Sequence, residues 1–482
     1  MRTGELLPIL ALSFGVASSF ACSSPEPEPP TNVVLIVIDD LGWADTGVYG
    51  STFYETPNID ALAAGGARFT QFYTASPVCS PTRASLMTGR HPARLDLTNW
   101  IGGEQNGLLT QAEYIRQLPH DQVTMGEVFS EQGYTTGYIG KWHLGRAGYL
   151  PDTQGFEFTF AVNEAGQPGA YFPPYENPDW PITNVPDLAG DSENTYLTDR
   201  LTDAALRFIE TNRDRPFFLV LSHYAVHTPL QAPAEAVRSY EEKAGQFSPD
   251  TDENYASERE SSTKLRQDHP TYAAMVASTD ASVGRVLSML SEFGLDDRTA
   301  VVFVSDNGGL STLTRRGFNQ ATANFPLRAG KGWLYDGGVR VPLIVRWPGG
   351  VRGGTVVENP AMSMDLFPTL LEMAGIPERP EQHIDGSSLI GAMTAGTGAR
   401  EALHWHFPHY HGSGNRPGGA IRIGDLKLVE WFEDGAVELY DLSDDISERR
   451  DLSGERPADT ARLLAALRAW RQEVGANMPG EG

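Results

Sequence analysis

Cys79-Ser80-Pro81-Thr82-Arg83 sets a thiol, a proline suited to a first helical turn and a guanidinium within five positions, and Ala84-Ser85-Leu86-Met87 carry the helix onward. A helix amino terminus offers free N–H groups and the positive end of its dipole, and arginine adds a forked cation. Whatever Cys79 meets should therefore be an anion with tetrahedral oxygens. Taken alone, a cysteine before a helix reads equally as a buried core thiol. Asp39-Asp40 and Ser305-Asp306-Asn307-Gly308-Gly309 add a second chemistry. One Asp at such a place fits a helix cap or a turn. Three carboxylates and an amide together form an all-oxygen donor set, suited to a hard divalent cation and unlike the His/Cys sets that hold zinc.

These residues share a position in the chain pattern. Four short apolar runs, 33–38, 135–139, 217–221 and 300–304, are continuous rather than alternating, as in strands buried on both faces of a sheet. Asp39-Asp40 follow the first run, Lys141 and His143 the second, His223 and His227 the third, and Asp306-Asn307 the fourth. Helical patterns at 58–65, 124–132, 196–211 and 271–293 separate them, which predicts an α/β fold with a large, mostly parallel central sheet flanked by helices. In open α/β sheets ligands bind beyond the carboxyl ends of the strands, so four separate arrivals converge on one site.

Two long polar stretches, 161–194 and 241–270, are expected to pass over that edge of the sheet and carry substrate specificity. From about residue 400 the pattern changes to alternation over 420–431, a turn signal at Asp434-Gly435, and a further run at 437–440. A smaller antiparallel subdomain is expected there, with a terminal helix over 459–474 packing Leu463, Leu464, Leu467 and Trp470 against it. His404, His406, His409 and His411 lie in the same part. Their spacing suits no metal site; one or two of the four are expected to reach over the pocket and bind substrate hydroxyls, with His404 and His406 taken as the candidates.

The chain has 62 acidic against 37 basic residues, a net charge of -25, which argues against nucleic acid as a partner and requires any anionic substrate to be recognised locally. Its two cysteines, Cys22 and Cys79, cannot form a disulfide framework for a domain this large. Residues 1–21 read as a secretory signal, with one Arg, a short apolar run and a small-residue cleavage region. Cys22 directly after Ala21 resembles the acylated cysteine of a bacterial lipoprotein, although Ser19 stands three before it and Glu5 lies near Arg2. The expectation is export to the periplasm or cell surface, with a possible membrane anchor through Cys22 and plain secretion as the alternative. Residues 22–31 form a Pro-rich tether, 32–399 the catalytic domain and 400–482 the C-terminal subdomain.

The run from Cys79 through Thr88-Gly89-Arg90 resembles the signature of the type I sulfatases, within the alkaline phosphatase-like superfamily. Gly140-Lys141-Trp142-His143-Leu144-Gly145, His227-Thr228-Pro229 and Gly330-Lys331-Gly332 match further motifs of that family, and the similarity runs from Asn32 to about Leu452. The resemblance implies an arylsulfatase-like sulfuric ester hydrolase, of the kind bacteria use on carbohydrates. It implies that a maturation enzyme oxidises Cys79 to formylglycine (3-oxoalanine). It also implies that Asp39, Asp40, Asp306, Asn307 and the oxidised residue 79 hold one calcium; by ligand type alone magnesium stays open. Arg83, Lys141, His143, His227 and Lys331 would form the remaining catalytic set.

Three carboxylates, a divalent ion and three cations then sum to a locally positive pocket inside an acidic protein, matched to a sulfate monoester. The ester expected is a sulfated sugar, such as a galactose or N-acetylgalactosamine sulfate. A phosphomonoester or phosphonate hydrolase of the same superfamily, or a catalytically dead glycan-binding surface protein, are the other readings.

Overall fold

The computed structural model describes residues 1, 31–249, 251–314, 320–398 and 400–481. The signal segment after Met1, most of the tether and Cys22 lie outside the described residues. An eight-stranded sheet forms the centre, in the spatial order Thr355–Val357, Ala67–Phe69, Leu343–Arg346, Thr299–Ser305, Asn32–Ile38, Phe217–Ser222, Thr135–Gly140 and Phe158–Phe160. Only Leu343–Arg346 runs against the others.

The reason for continuous apolar runs is visible in Asn32–Ile38, where every residue is buried. Val33, Leu35 and Val37 enter one core layer with Ala84, Leu86 and Met87. Val34, Ile36 and Ile38 enter the other, against helices Pro57–Ala64, Leu197–Asn212 and Pro270–Glu292. Alternate side chains thus face opposite helical layers, and each fully buried Val, Leu or Ile contributes roughly 1.5–3 kcal/mol. Helix Leu197–Asn212 presents Leu201, Ala204, Ala205, Phe208 and Ile209 inward at helical spacing. Thr124 and Glu127 form a reciprocal capping box that starts helix Met125–Glu131.

Register fixes the level at which the strands end. Ile38 lies opposite Ser305, and Val37 and Gly140 both lie opposite Ser222, so the residues that follow emerge side by side.

The C-terminal part is a four-stranded antiparallel sheet, Leu403–Phe407, Gly418–Ile423, Leu426–Trp431 and Val437–Asp441. The alternating run 420–431 is two strands rather than one. Gly424, at φ 60°, makes the reversal between them, a turn hidden by alternation that continues on both sides. Helix Pro457–Glu473 packs Leu463 and Leu467 onto Ile421, Leu428 and Leu439. No helix among the described residues is long and apolar enough to cross a membrane.

Candidate active site

Asp39 and Asp40 leave the end of Asn32–Ile38 through a sharp turn. Asp40 adopts φ 61°, a left-handed conformation that Asp tolerates better than most side chains. This turn sends its N–H to Asp306 Oδ1 at 3.2 Å, while Asn307 Nδ2 donates to Asp40 Oδ1 at 2.8 Å. Neighbouring strands lock the same level: Asp306 N–H bonds the Ile38 carbonyl at 3.1 Å, and Lys141 N–H the Ser222 carbonyl at 2.9 Å.

Cys79 is the first residue of the helix Cys79–Thr88, every residue of which is buried. Its Sγ lies 3.8 Å from Asp39 Oδ1. Burial pushes the thiol up to about 12, against the pull of Lys141 and Lys331. An unmodified thiol held protonated at neutral pH is a poor nucleophile. Arg83, one turn on, pairs its Nε with Asp306 Oδ2 at 2.8 Å and gives Nη1 to the Lys141 carbonyl and Ser222 Oγ. It secures three strand ends and does not line the cavity described below. Lys141 Nζ is likewise enclosed, 2.6 Å from Asp39 Oδ2 and 3.9 Å from Asp306 Oδ2.

Lys331 reaches the cluster from the opposite wall, its Nζ 2.6 Å from Asp40 Oδ1. Burial alone would raise the Asp40 carboxyl, but Lys331, then His227 and Lys141, hold it well below the usual range. His227 Nε2 lies 3.6 Å from Asp40 Oδ2, and Nδ1 donates to the Thr228 carbonyl at 2.9 Å. Burial, then Lys331, keeps this imidazole neutral, with its pKa lowered to about 3. His143 donates Nε2–H to the Ile101 carbonyl at 3.1 Å, which leaves Nδ1 as a buried acceptor with no partner among the described residues. Gly166 covers the ring so closely that a Cβ there would stand 2.3 Å from its Cε1.

The donor set fits a hard cation. One ligand atom from each of Asp39, Asp40, Cys79 and His227 falls within 4.8 Å of the others, and Asp306 and Asn307 adjoin them through Asp40. Asn307 spends its amide hydrogens on Asp40 and the Gly308 carbonyl, and its Oδ1 is buried with no donor. A buried amide oxygen left without a donor costs about 1–3 kcal/mol unless something electropositive meets it. Burial, with Asp306 and Asp40 close by, pushes Asp39 up to about 8 despite Lys141. Carboxylates crowded in this way are stabilised by a divalent ion.

A cavity of about 860 Å³ opens onto Asp40, Cys79, His143, His227 and Lys331. The stretch 161–194 supplies one wall, including Glu164, Gly166, Gln167, Trp180 and Ile182, as the sequence led us to expect. Among the described residues, nothing from 241–270 lines it. That stretch instead folds as the hairpin Tyr255–Glu258 and Ser261–Lys264, paired with Thr312–Leu313. Trp100, Arg116, Arg146 and Leu313 also line the cavity; lying in loops or short strands without periodic pattern, they gave no signal in the sequence.

The histidine assignment needs correction. His404 stacks on Trp470 with ring centres 4.5 Å apart, and His406 Nε2 meets the Asn477 carbonyl at 2.8 Å. Neither lines the cavity, because both sit on the face of strand Leu403–Phe407 that meets the terminal segment. His409 bonds Thr98 Oγ1 at 2.8 Å, and His223 bonds Ser282 within the helical layer at 2.9 Å. His411 is the member of the cluster that reaches the cavity.

Comparison with known proteins agrees with this geometry. The family model described as Sulfatase matches residues 31–376, and that described as N-sulphoglucosamine sulphohydrolase, C-terminal, matches 329–472. The chain is 35% identical over 465 residues to N-acetylgalactosamine-6-sulfatase of Rattus norvegicus, covering 93% of this chain and 79% of that one. It is 32% identical over 510 residues to arylsulfatase A of Homo sapiens, covering 95% and 88%. The crystal structure of Ps i-CgsB in complex with k-i-k-neocarrahexaose superposes with a TM-score of 0.73 at 30% identity, covering 92% of this chain and 93% of that one.

Proposed function

This chain belongs to the sulfatase family and is a sulfuric ester hydrolase, and from that premise we propose that it releases inorganic sulfate from a sulfated sugar through a formylglycine made from Cys79. One observation carries the reading: Cys79, at a helix amino terminus, meets Asp39, Asp40, Lys331 and His227 where the strand ends open onto a cavity.

The hydrated aldehyde supplies a hydroxyl nucleophile, and a divalent cation held by Asp39, Asp40, Asp306 and Asn307 supplies positive charge beside it. Calcium is the proposed ion, magnesium the alternative. Lys331, with Asp40 fixing its ammonium, binds the sulfate group. His227 has Nδ1–H committed to Thr228, so its neutral ring offers the lone pair of Nε2, which would take the proton that the attacking hydroxyl loses and pass it to the leaving alcohol. His143 offers the lone pair of Nδ1 to the second hydroxyl of residue 79, whose deprotonation releases sulfate. Arg83 and Lys141 keep Asp306 and Asp39 in register. Because Cys79 is buried, the maturation enzyme must reach it before the chain folds.

The substrate reading, a galactose or N-acetylgalactosamine sulfate, is supported by relatives named N-acetylgalactosamine-6-sulfatase and by a similar structure in complex with k-i-k-neocarrahexaose. Export, with acylation at Cys22, is supported by the composition of residues 1–22. The test is sulfate release from defined sulfated sugars by enzyme shown by peptide mass to carry the oxidised residue 79. Rates on the sulfate and phosphate esters of one alcohol separate this reading from a phosphohydrolase, and no release from any sulfate ester overturns it. Cys79→Ser should lose multiple turnover by at least about 10³-fold while gaining the mass of one sulfate, since a simple ester has no second hydroxyl to expel it. Sustained turnover by that variant contradicts the mechanism.

A further inference from the structure

His411 is held by groups that leave its protonation state little choice. The Ser413 backbone N–H donates to His411 Nδ1 at 3.2 Å, and Ser413 Oγ lies 2.8 Å from the same atom. Ser413 is itself fixed, its carbonyl accepting from Trp333 Nε1 at 3.1 Å and from Ser261 Oγ at 2.9 Å. Gly414 N–H bonds the His411 carbonyl at 2.8 Å and closes the turn. The loop bearing Lys331 is folded around the ring: Gly332 adopts φ 86°, and a Cβ there would stand 2.1 Å from His411 Nδ1.

A backbone N–H can only donate, so Nδ1 must accept and the neutral ring carries its proton on Nε2. Nε2 makes no hydrogen bond to any described residue, and the ring lines the cavity near Lys331 and Asp40. Burial, then Lys331, lowers the imidazole to about 3, which keeps it a neutral donor.

We propose that His411 determines substrate specificity, its Nε2–H donating to an uncharged oxygen of the sulfated sugar, a ring hydroxyl or an acetamido carbonyl. The sulfate is already met by Lys331 and the cation site, and a neutral donor beside them discriminates by the sugar rather than by charge. This inference rests on the sulfated-sugar reading above.

The experiment compares wild type, His411→Ala and His411→Gln on the sulfated sugar turned over best and on a small aryl sulfate that lacks sugar oxygens. Loss of one neutral hydrogen bond should lower kcat/KM on the sugar about tenfold, mainly through KM. On the aryl sulfate the change should stay within about twofold, and Gln, whose amide can place a donor near Nε2, should recover part of the loss on the sugar. Equal losses on both substrates mean that the ring only supports the Lys331 loop, and no loss on the sugar means that it touches no substrate; either result overturns the proposal. If the matured wild type cleaves neither ester, the sulfatase reading itself has failed.

Discussion

Two of the buried charge clusters among the described residues differ in their relation to the cavity, which only the first faces. At the strand ends, Asp39, Asp40 and Asp306 meet Arg83, Lys141 and Lys331. Between the catalytic body and the C-terminal sheet, Lys427 Nζ lies 2.7 Å from Asp336 Oδ1 and 2.8 Å from Glu448 Oε1, with all three side chains fully buried. Tyr73 donates to Asp336 Oδ2 at 2.9 Å, and the Asp336 N–H donates to Glu448 Oε2 at 2.6 Å. Asp336 and Lys427 thus have their charges answered by protein. The strand-end cluster leaves Asn307 Oδ1, His143 Nδ1 and Arg83 Nη2 without a hydrogen-bond partner among the described residues, whereas Glu448 Oε1, also without a hydrogen bond there, is met by the Lys427 ammonium. Buried charge alone does not mark a site; unmet valence beside a cavity does.

The comparison is tested most severely by Asp39→Asn. Asparagine keeps an oxygen for Lys141 but removes a charge that burial already disfavours. Activity should fall by about 10³-fold or more with the loss of an anionic ligand, while the melting temperature measured in chelator should hold or rise. Destabilisation instead would show that the strand-end cluster is as structural as the other.

Lys427→Met is the converse. It strands Asp336 and Glu448 in the interior, where breaking a buried pair costs about 3–5 kcal/mol. Urea unfolding should register that loss, and kcat per folded molecule should change by less than about twofold, since none of the three lines the cavity. A large fall in kcat would join the two clusters into one device: Gly308, two residues past Asp306, already bonds the Gly338 carbonyl at 3.0 Å beside Asp336.

Asp39, Asp40, Asp306 and Lys141 were legible because each follows a buried strand within a few residues, and a parallel sheet has only one edge where such residues can meet; Arg83, on a helix, and Lys331, in a loop, were legible only through the motifs that resemble the family. Runs 33–38, 135–139, 217–221 and 300–304 lie within Asn32–Ile38, Thr135–Gly140, Phe217–Ser222 and Thr299–Ser305. The Asp336–Lys427–Glu448 cluster was not legible, since it joins a short helix, an antiparallel strand and a loop whose meeting depends on domain packing. The histidines failed for a subtler reason. Leu403, Trp405 and Phe407 are buried on one face of their strand, so period-two alternation sends His404 and His406 together to the other, toward Trp470. That alternation was present in the sequence and could have excluded both; His411 escapes it only by lying in the loop beyond.

The finest distinction between the clusters lies in their response to pH. Burial, reinforced by Asp336 and opposed by Lys427, raises Glu448 from 4.5 to about 7. A carboxyl with a higher pKa folded than unfolded binds its proton more tightly in the native state. Stability from this group is therefore full below about pH 4.5 and declines as pH climbs toward 7, by at most about 1.4 kcal/mol per pH unit. Glu448→Gln keeps an oxygen for the Asp336 N–H and has no proton to lose. Urea unfolding of the two proteins from pH 4 to 8 should give curves that converge at the acid end, with the wild type falling below the variant by up to about 3 kcal/mol at the alkaline end. Parallel curves would mean that Lys427 holds Glu448 ionised throughout, making this cluster a permanent ion triad; the contrast with the strand-end site would then rest on the cavity alone.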